Sequence, residues 1–268
     1  MKEKIKSIFN KHGIEYFAVL DYSRTEEINP RLRAGLTFSP KSVIVFLVPY
    51  YVGECENFSR YAASLDYHLV IKDLTDSLIG ELKNIYEGAT FCAFGDHSPI
   101  NERHAALTAS LGFLGDNGLL INEKYGSYVF VADLISDIGP NLIPYDAPSV
   151  EGACLHCGAC KRACPTGILR GESSDCLSAI TQKKGDLTEE EIVLMRRVGT
   201  VWGCDLCQSA CPYNKSPKTT PIDAFLNDRL HRLTTELVEE MSEEEFSRRA
   251  FAWRGRKTML RNLKALDM

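Results

Sequence analysis

Eight of the ten cysteines fall between residues 154 and 211, and their spacing constrains this chain more than any other feature in it. Cys154-x2-Cys157-x2-Cys160-x3-Cys164-Pro165 is the run of bacterial two-cluster ferredoxins, in which the fourth thiolate ligates the other cluster. A tight Cys-x2-Cys-x2-Cys loop wraps three corners of one cubane, while the fourth cysteine opens a helix pointing away and is free for a neighbour. A second run, Cys204-x2-Cys207-x3-Cys211-Pro212, keeps that ending but has Val201 where its first cysteine would stand. Cys176 is the remaining thiol in the region. The expectation is two [4Fe-4S] clusters, one on Cys154, Cys157, Cys160 and Cys211, the other on Cys164, Cys176, Cys204 and Cys207. Two zinc sites on Cys-x2-Cys pairs are the alternative, but a zinc knuckle has no reason to repeat Cys-x3-Cys-Pro. Cys55 and Cys92 lie in apolar or strand contexts and read as small buried hydrophobes without a role.

So many thiols free for metal suit a reducing compartment. Met1-Lys2-Glu3-Lys4 opens an amphipathic segment with no apolar signal region, so a cytoplasmic location is expected. The longest apolar run, Ser42 to Val52, is far short of the roughly 18 residues of a membrane span, so no membrane partner is expected. A net charge of -5 excludes a broadly basic nucleic-acid binder but leaves room for a local basic patch.

At 268 residues the chain makes one large domain or two unequal ones. Periodicity predicts helix 2–12, strands 16–21 and 42–50, a long helix near 60–86, strand 89–94 and a helix near 99–110, capped by Ser98 with Pro99 at its first position. After a glycine-spaced turn, Gly112 to Gly118, two apolar runs at 119–122 and 128–135 read as a strand pair through Lys124-Tyr125-Gly126. The expected fold class is α+β. An α/β-like domain would occupy 1–145, a ferredoxin-like dicluster domain 146–220 and a helical tail 221–268, with the first boundary in the loop from Pro144 to Pro148. In the tail, Ser242 and Glu245 have capping-box spacing, with Met241 and Phe246 placed as a staple. Arg248, Arg249, Arg254, Arg256, Lys257, Arg261 and Lys264 follow with no acid among them. Such a stripe either neutralises phosphates or forms a basic surface helix balanced by Glu239 to Glu245, and both readings stand.

About 140 residues precede the clusters, so the electrons are expected to be used within this molecule. Asp96 follows the carboxyl end of a strand, where open α/β sheets place their sites. The plainer reading makes it a turn residue after Gly95, with Arg103 a solvated helix charge.

Ser59-Arg60-Tyr61-Ala62, Asp66-Tyr67-His68, Asp96 with Arg103, Leu111-Gly112-Phe113-Leu114-Gly115, the eight cysteines, Cys176-Leu177-Ser178 and Gly203-Cys204-Asp205-Leu206-Cys207-Gln208 together resemble the epoxyqueuosine reductase family. The resemblance runs from about residue 40 to the C-terminus. It implies a cobalamin-dependent iron–sulfur enzyme of tRNA wobble-base modification, related in its catalytic core to reductive dehalogenases. The reaction implied is two-electron reduction of the epoxide of epoxyqueuosine to an alkene with loss of water, with tRNA as partner and a flavodoxin or ferredoxin as electron donor. Asp96 would be the general acid, a carboxyl kept protonated by burial in a closed site, and Arg103 would orient the substrate or modulate the acid. Arg60, Tyr61, His68, Gly112, Phe113, Gly115 and Asn117 would border the cofactor; the glycines serve either close approach of a corrinoid or tight packing.

The sequence departs from the family in two places. Asp116-Asn117-Gly118 stands where a lysine and a hydroxyl residue are usual, and the chain stops at Met268, near where a helical-repeat domain begins in longer members. A cobalamin reductase of a small molecule and a non-catalytic dicluster carrier are the competing functions.

Overall fold

Ser42–Pro49 forms a strand in which every residue is buried, and the rest of the chain is arranged around it. The computed structural model describes residues 1–145 and 150–267, so the expected first boundary at 145/146 abuts residues outside the described set. The elements are α1 (Lys2–Lys11), β1 (Phe17–Asp21), α2 (Pro30–Ala34), β2 (Ser42–Pro49), α3 (Tyr67–Lys83), β3 (Phe91–Gly95) and α4 (Glu102–Thr108). Then come β4 (Phe113–Leu114), β5 (Leu120–Ile121) and β6 (Val129–Ser136), followed in the cysteine region by α5 (Ala159–Ala163), α6 (Leu177–Gln182), α7 (Glu189–Val198) and α8 (Leu206–Ser209). The chain ends in α9 (Asp223–Leu226), α10 (Thr235–Glu240), α11 (Glu243–Ser247) and α12 (Arg256–Asp267).

The main sheet has the order β1-β2-β6-β3, and all three neighbouring pairs are antiparallel. Because side chains alternate along a strand, β2 supplies two cores. Val43, Val45 and Leu47 cluster with Ala105, Ala106 and Leu111, whereas Ile44, Phe46 and Val48 cluster with Ile5, Phe9, Leu74 and Leu78. Each such side chain contributes about 1.5–3 kcal/mol of burial, which is why the most apolar run of the sequence takes the centre. The second core also receives Val201 and Trp202 from the cysteine region, and Phe225, Val238, Phe251 and Met259 from the C-terminal helices. The segment expected as a tail is thus packed on the central sheet.

The α+β class is correct, but the α/β-like alternation hides an antiparallel sheet, so the strand-end rule for parallel sheets did not apply to Asp96. Three local expectations also change. The long helix starts at Tyr67, where the Asp66 carboxylate accepts the His68 N–H at 3.0 Å; residues 60–62 form a separate 3-10 turn. Asn101, not Ser98, caps α4 by accepting the His104 N–H at 3.1 Å. Residues 119–122 do not pair with 128–135: Leu120 and Ile121 pair back onto Phe113 and Leu114, and β6 is taken up between β2 and β3. Only Asn122 and Gly126 bridge across the expected turn. The capping box of Ser242 and Glu245 forms as read.

Asn214 fastens the cysteine region to the sheet. Its Oδ1 accepts the Ser127 N–H at 2.8 Å, and its Nδ2 donates to Ser127 Oγ at 2.8 Å and to the Gln208 carbonyl at 2.7 Å. Gly126 lies against it with φ at +59°, and a Cβ there would collide with Asn214 Oδ1. Asn214→Ala strands a buried N–H and a buried carbonyl, so stability should drop by roughly 2–4 kcal/mol, read as a thermal midpoint several degrees lower under anaerobic conditions. An unchanged midpoint would show that this fastening is not used.

Candidate metal centres and active site

The two cysteine runs fold so that each lends a thiol to the other. Cys154, Cys157 and Cys160 meet Cys211 around one hollow, also lined by Gly115, Asp116, Asn117 and Tyr213. Cys164, Cys176, Cys204 and Cys207 line a second, larger cavity. Burial pushes the Cys204 thiol up to about 11 and the Cys207 thiol up to about 12, and crowding by the other sulfurs of the same set adds to it. Cys211 is likewise raised, by burial and then by Cys157, Cys160 and Cys154. Four converging sulfurs in poor solvent are stable as thiolates only with a cation among them, which is the donor chemistry that an iron–sulfur cluster meets.

Asp205, between Cys204 and Cys207, is gripped from the sheet domain. Its carboxylate accepts from Ser59 Oγ, from the Arg60 N–H at 2.7 Å and from Arg60 Nη1 at 3.1 Å. Arg60 is anchored in turn by Glu54. Gln208 donates to the Ser127 carbonyl at 2.8 Å and to the Tyr50 hydroxyl at 3.1 Å.

The cavity over the second cysteine set has a volume of about 480 Å³. Tyr50, Tyr61, Phe130, Leu119 and Val129 give it an apolar wall, and Asn117 joins them with an Nδ2 that is buried without a hydrogen-bond partner. Tyr67 backs this wall: its ring stacks on Phe130 at 4.1 Å and meets Tyr61 edge-on at 6.2 Å. The Tyr67 hydroxyl then donates to Asp96 Oδ2 at 2.6 Å.

Asp96 sits at φ +67° just past β3, with its N–H bonded to Glu102 Oε1 at 3.0 Å. His68 Nε2 lies 3.6 Å from the same carboxylate, and His68 Nδ1 is 2.9 Å from Asp66 Oδ1. Asp66 and Asp96 together push the imidazole up to about 9. The imidazole, with the Tyr67 hydroxyl helping against partial burial, holds the Asp96 carboxyl below the usual range. This corrects the expectation of a carboxyl kept protonated by burial: Asp96 is more than half exposed, and the proton at neutral pH rests on His68. The closed-in carboxyls lie behind it. Burial pushes Glu102 up to about 8, with Asp133 adding to it, and burial pushes the fully buried Asp133 up to about 7.

Three comparisons bear on this arrangement. Residues 153–214 match the model of the 4Fe-4S double cluster binding domain. A protein of Cyclobacterium marinum named epoxyqueuosine reductase is 31% identical over 256 residues, spanning 91% of this chain and 80% of the relative. The relative of that name in Escherichia coli is 36% identical over 70% of this chain and 50% of its own length. The fold matches the solved epoxyqueuosine reductase of Streptococcus thermophilus with a TM-score of 0.78 at 25% identity, over 98% of this chain and 80% of that one.

The chain belongs to the epoxyqueuosine reductase family.

The residues expected to border the family's cofactor fall into two groups. Tyr61 and Asn117 line the large cavity. Arg60 works from behind it, on Asp205, and His68 faces Asp96. A Cβ on Gly112 would run into the Ile121 carbonyl, and one on Gly115, which also lines the first cysteine hollow, into Asn117 and Ile121 of its own hairpin. Phe113 meets Tyr213 edge-on at 4.9 Å. Arg103 donates to the Gly118 carbonyl at 2.8 Å, holding the turn that carries Asn117. Where the family usually has a lysine, Asp116 pairs with His156 at 2.8 Å and with Lys161 at 3.8 Å beside the first cysteine set. Three cations of the basic stripe in the C-terminal segment are taken up within the protein: Arg249 is buried on Asp228, Arg256 pairs with Glu243, and Arg261 binds the carbonyls of Lys183 and Gly185.

Glu102, Phe130 and Asp133 gave no functional signal in the sequence, and Tyr67 lay inside the Asp66-Tyr67-His68 motif without a role assigned to it. The interruption of an apolar strand by Asp133 was visible in the run 129–136, and a charge buried mid-strand is the kind of cost a fold tolerates near a site. The cysteine grouping makes a direct prediction. Anaerobically reconstituted protein should hold about eight irons, as two Cys₄-bound four-iron clusters require, and Cys176→Ala should hold about four. Full iron in that variant, or zinc in place of iron, would refute the grouping.

Proposed function

We propose that this chain reduces epoxyqueuosine to queuosine in tRNA, using two four-iron clusters and a cobalamin held in the cavity beside the second cysteine set. The observation that carries this reading is an adjacency. Tyr61 and Phe130 line the cavity that the four thiols share, and Tyr67, in contact with both rings, carries the connection on to Asp96 and His68. The names of the curated relatives support the substrate.

Removing the epoxide oxygen as water takes two electrons and two protons and leaves a carbon–carbon double bond. Bound cobalamin supplies the metal-centred electron chemistry at the substrate carbon. The residues of the chain do the rest. Tyr50, Tyr61 and Phe130 offer apolar surface to the cofactor, and the orphaned Asn117 Nδ2 offers a donor to a carboxamide oxygen on its rim. Cys154, Cys157, Cys160 and Cys211 hold the outer cluster, and Cys164, Cys176, Cys204 and Cys207 the one beside the cavity. His68, whose Nδ1 is steadied by Asp66, passes its proton through the Asp96 carboxylate to the departing oxygen, and the second proton of the water comes from solvent. Tyr67 keeps the carboxylate aimed. Arg103 fixes the turn that presents Asn117.

A one-electron carrier such as a flavodoxin or ferredoxin would reach the outer cluster past the exposed Cys157. Among the described residues no helix is long and apolar enough to cross a membrane. Thiol-held clusters and a tRNA substrate fit the cytoplasm.

Asp96→Asn should lower turnover by about 10² to 10⁴ while iron content and RNA affinity persist; near-normal turnover would remove Asp96 from the acid role. The protonated state of His68 is complete at low pH and lost as pH rises through about 9, so turnover should fall across that range. His68→Asn should abolish that alkaline limb. A limb that survives the substitution unchanged would assign the titration to another group.

A further inference from the structure

The cations left over from the C-terminal stripe are Arg248, Arg254, Lys257 and Lys264, none of which has an ion-pair partner among the described residues. Arg254 is the unusual one. Its guanidinium lies over the ring of Trp253 at 3.8 Å from the centroid, and its Nε is buried without a hydrogen-bond partner. Trp253 itself is 59% exposed, in a chain whose other tryptophan, Trp202, is fully buried. One edge of the indole packs on the protein, while most of it lies in water with an unpaired guanidinium stacked on it.

This pair is tied to the active site. Trp253 meets Trp202 edge-on at 6.4 Å, and Trp202 Nε1 donates to the hydroxyl of Tyr61, on the cavity wall, at 2.7 Å. The Asp66 N–H donates to the Arg248 carbonyl at 2.8 Å, and Leu65 bridges to Arg249, so residues 248–254 run beside the segment that carries Tyr67 and His68. Glu243, Glu244 and Glu245 lie just upstream, but Glu243 already pairs with Arg256.

We infer that Trp253 and Arg254 form a docking platform for the RNA next to the active site, the indole stacking on an unpaired base flanking the modified nucleotide and the guanidinium taking a phosphate, with Arg248 and Lys257 adding charge. Two physical preferences favour RNA. Bases splayed out of a loop are recognised by stacking on aromatic rings and arginine planes, and a guanidinium that stacks on an aromatic face can still offer planar N–H donors to a phosphate. The inference rests on the tRNA reading above.

The test is binding of an epoxyqueuosine-modified tRNA-Tyr stem–loop to the anaerobically reconstituted protein, followed by anisotropy and by tryptophan fluorescence. Wild-type protein should bind with quenching of the exposed tryptophan. Trp253→Ala should weaken binding about tenfold or more, and Trp253→Phe should recover most of the loss. Arg254→Gln should weaken binding and lower the slope of log affinity against log salt by about 0.7. Retained iron content checks folding, and if Trp253→Ala loses its clusters the Arg254→Gln result decides. Wild-type binding with both variants within twofold overturns the platform and leaves the tRNA reading standing. So does self-association that Trp253→Ala abolishes without changing RNA affinity. Absence of wild-type binding at low salt removes the tRNA reading and the platform together.

Discussion

The grip of Ser59 and Arg60 on Asp205 is the contact on which the rest of the site depends. A carboxylate that is only about one-tenth exposed is tolerable when it accepts several hydrogen bonds and faces a guanidinium. Here that requirement fixes Cys204 and Cys207 against the sheet domain. The same turn brings Tyr61 onto the cavity wall, and Tyr61 meets Tyr67, which reaches Asp96. One short stretch, 59–68, therefore sets the sulfur side and the proton side of the cavity together. Removing the carboxylate would leave Arg60 half satisfied and free the cysteine loop to drift from the wall.

How far the sequence could be read depended on the range of the interaction. The cysteine runs were legible because metal ligation imposes its own spacing, and the structure brings Cys211 to the first run and Cys176 to the second as that spacing required. Ser242 with Glu245 was legible because a capping box is local. Strand pairing was not. Leu120 and Ile121 choose Phe113 and Leu114 because Gly112 lets the two backbones close, whereas β6 is claimed by two distant strands that pair along both its edges. Periodicity sees an apolar run but not its neighbour.

The state of Asp96 shows the same limit in the candidate site. Its place after a strand and its match to the family motif were readable, yet its proton is governed by His68, 28 positions away and two residues past Asp66. Burial was expected to set the acid; a charged neighbour does. The carboxyls that burial does raise stand behind the loop: Glu102 accepts the Asp96 backbone N–H, and Asp133 is fully buried in β6.

Trp202 carries a consequence of a different kind. It lies two residues before Cys204, is fully buried in the core shared by the sheet and the C-terminal helices, and bonds through its backbone to Ser59 and through its indole to Tyr61. The metal-bearing loop is thus continuous with the largest side chain at the centre of the molecule. Oxidative damage that strips the metal would not leave a folded shell awaiting repair. It would loosen the keystone of the hydrophobic interior, expose apolar surface and hand the chain to proteolysis, so the lifetime of this protein in a cell is coupled to the integrity of its inorganic centres.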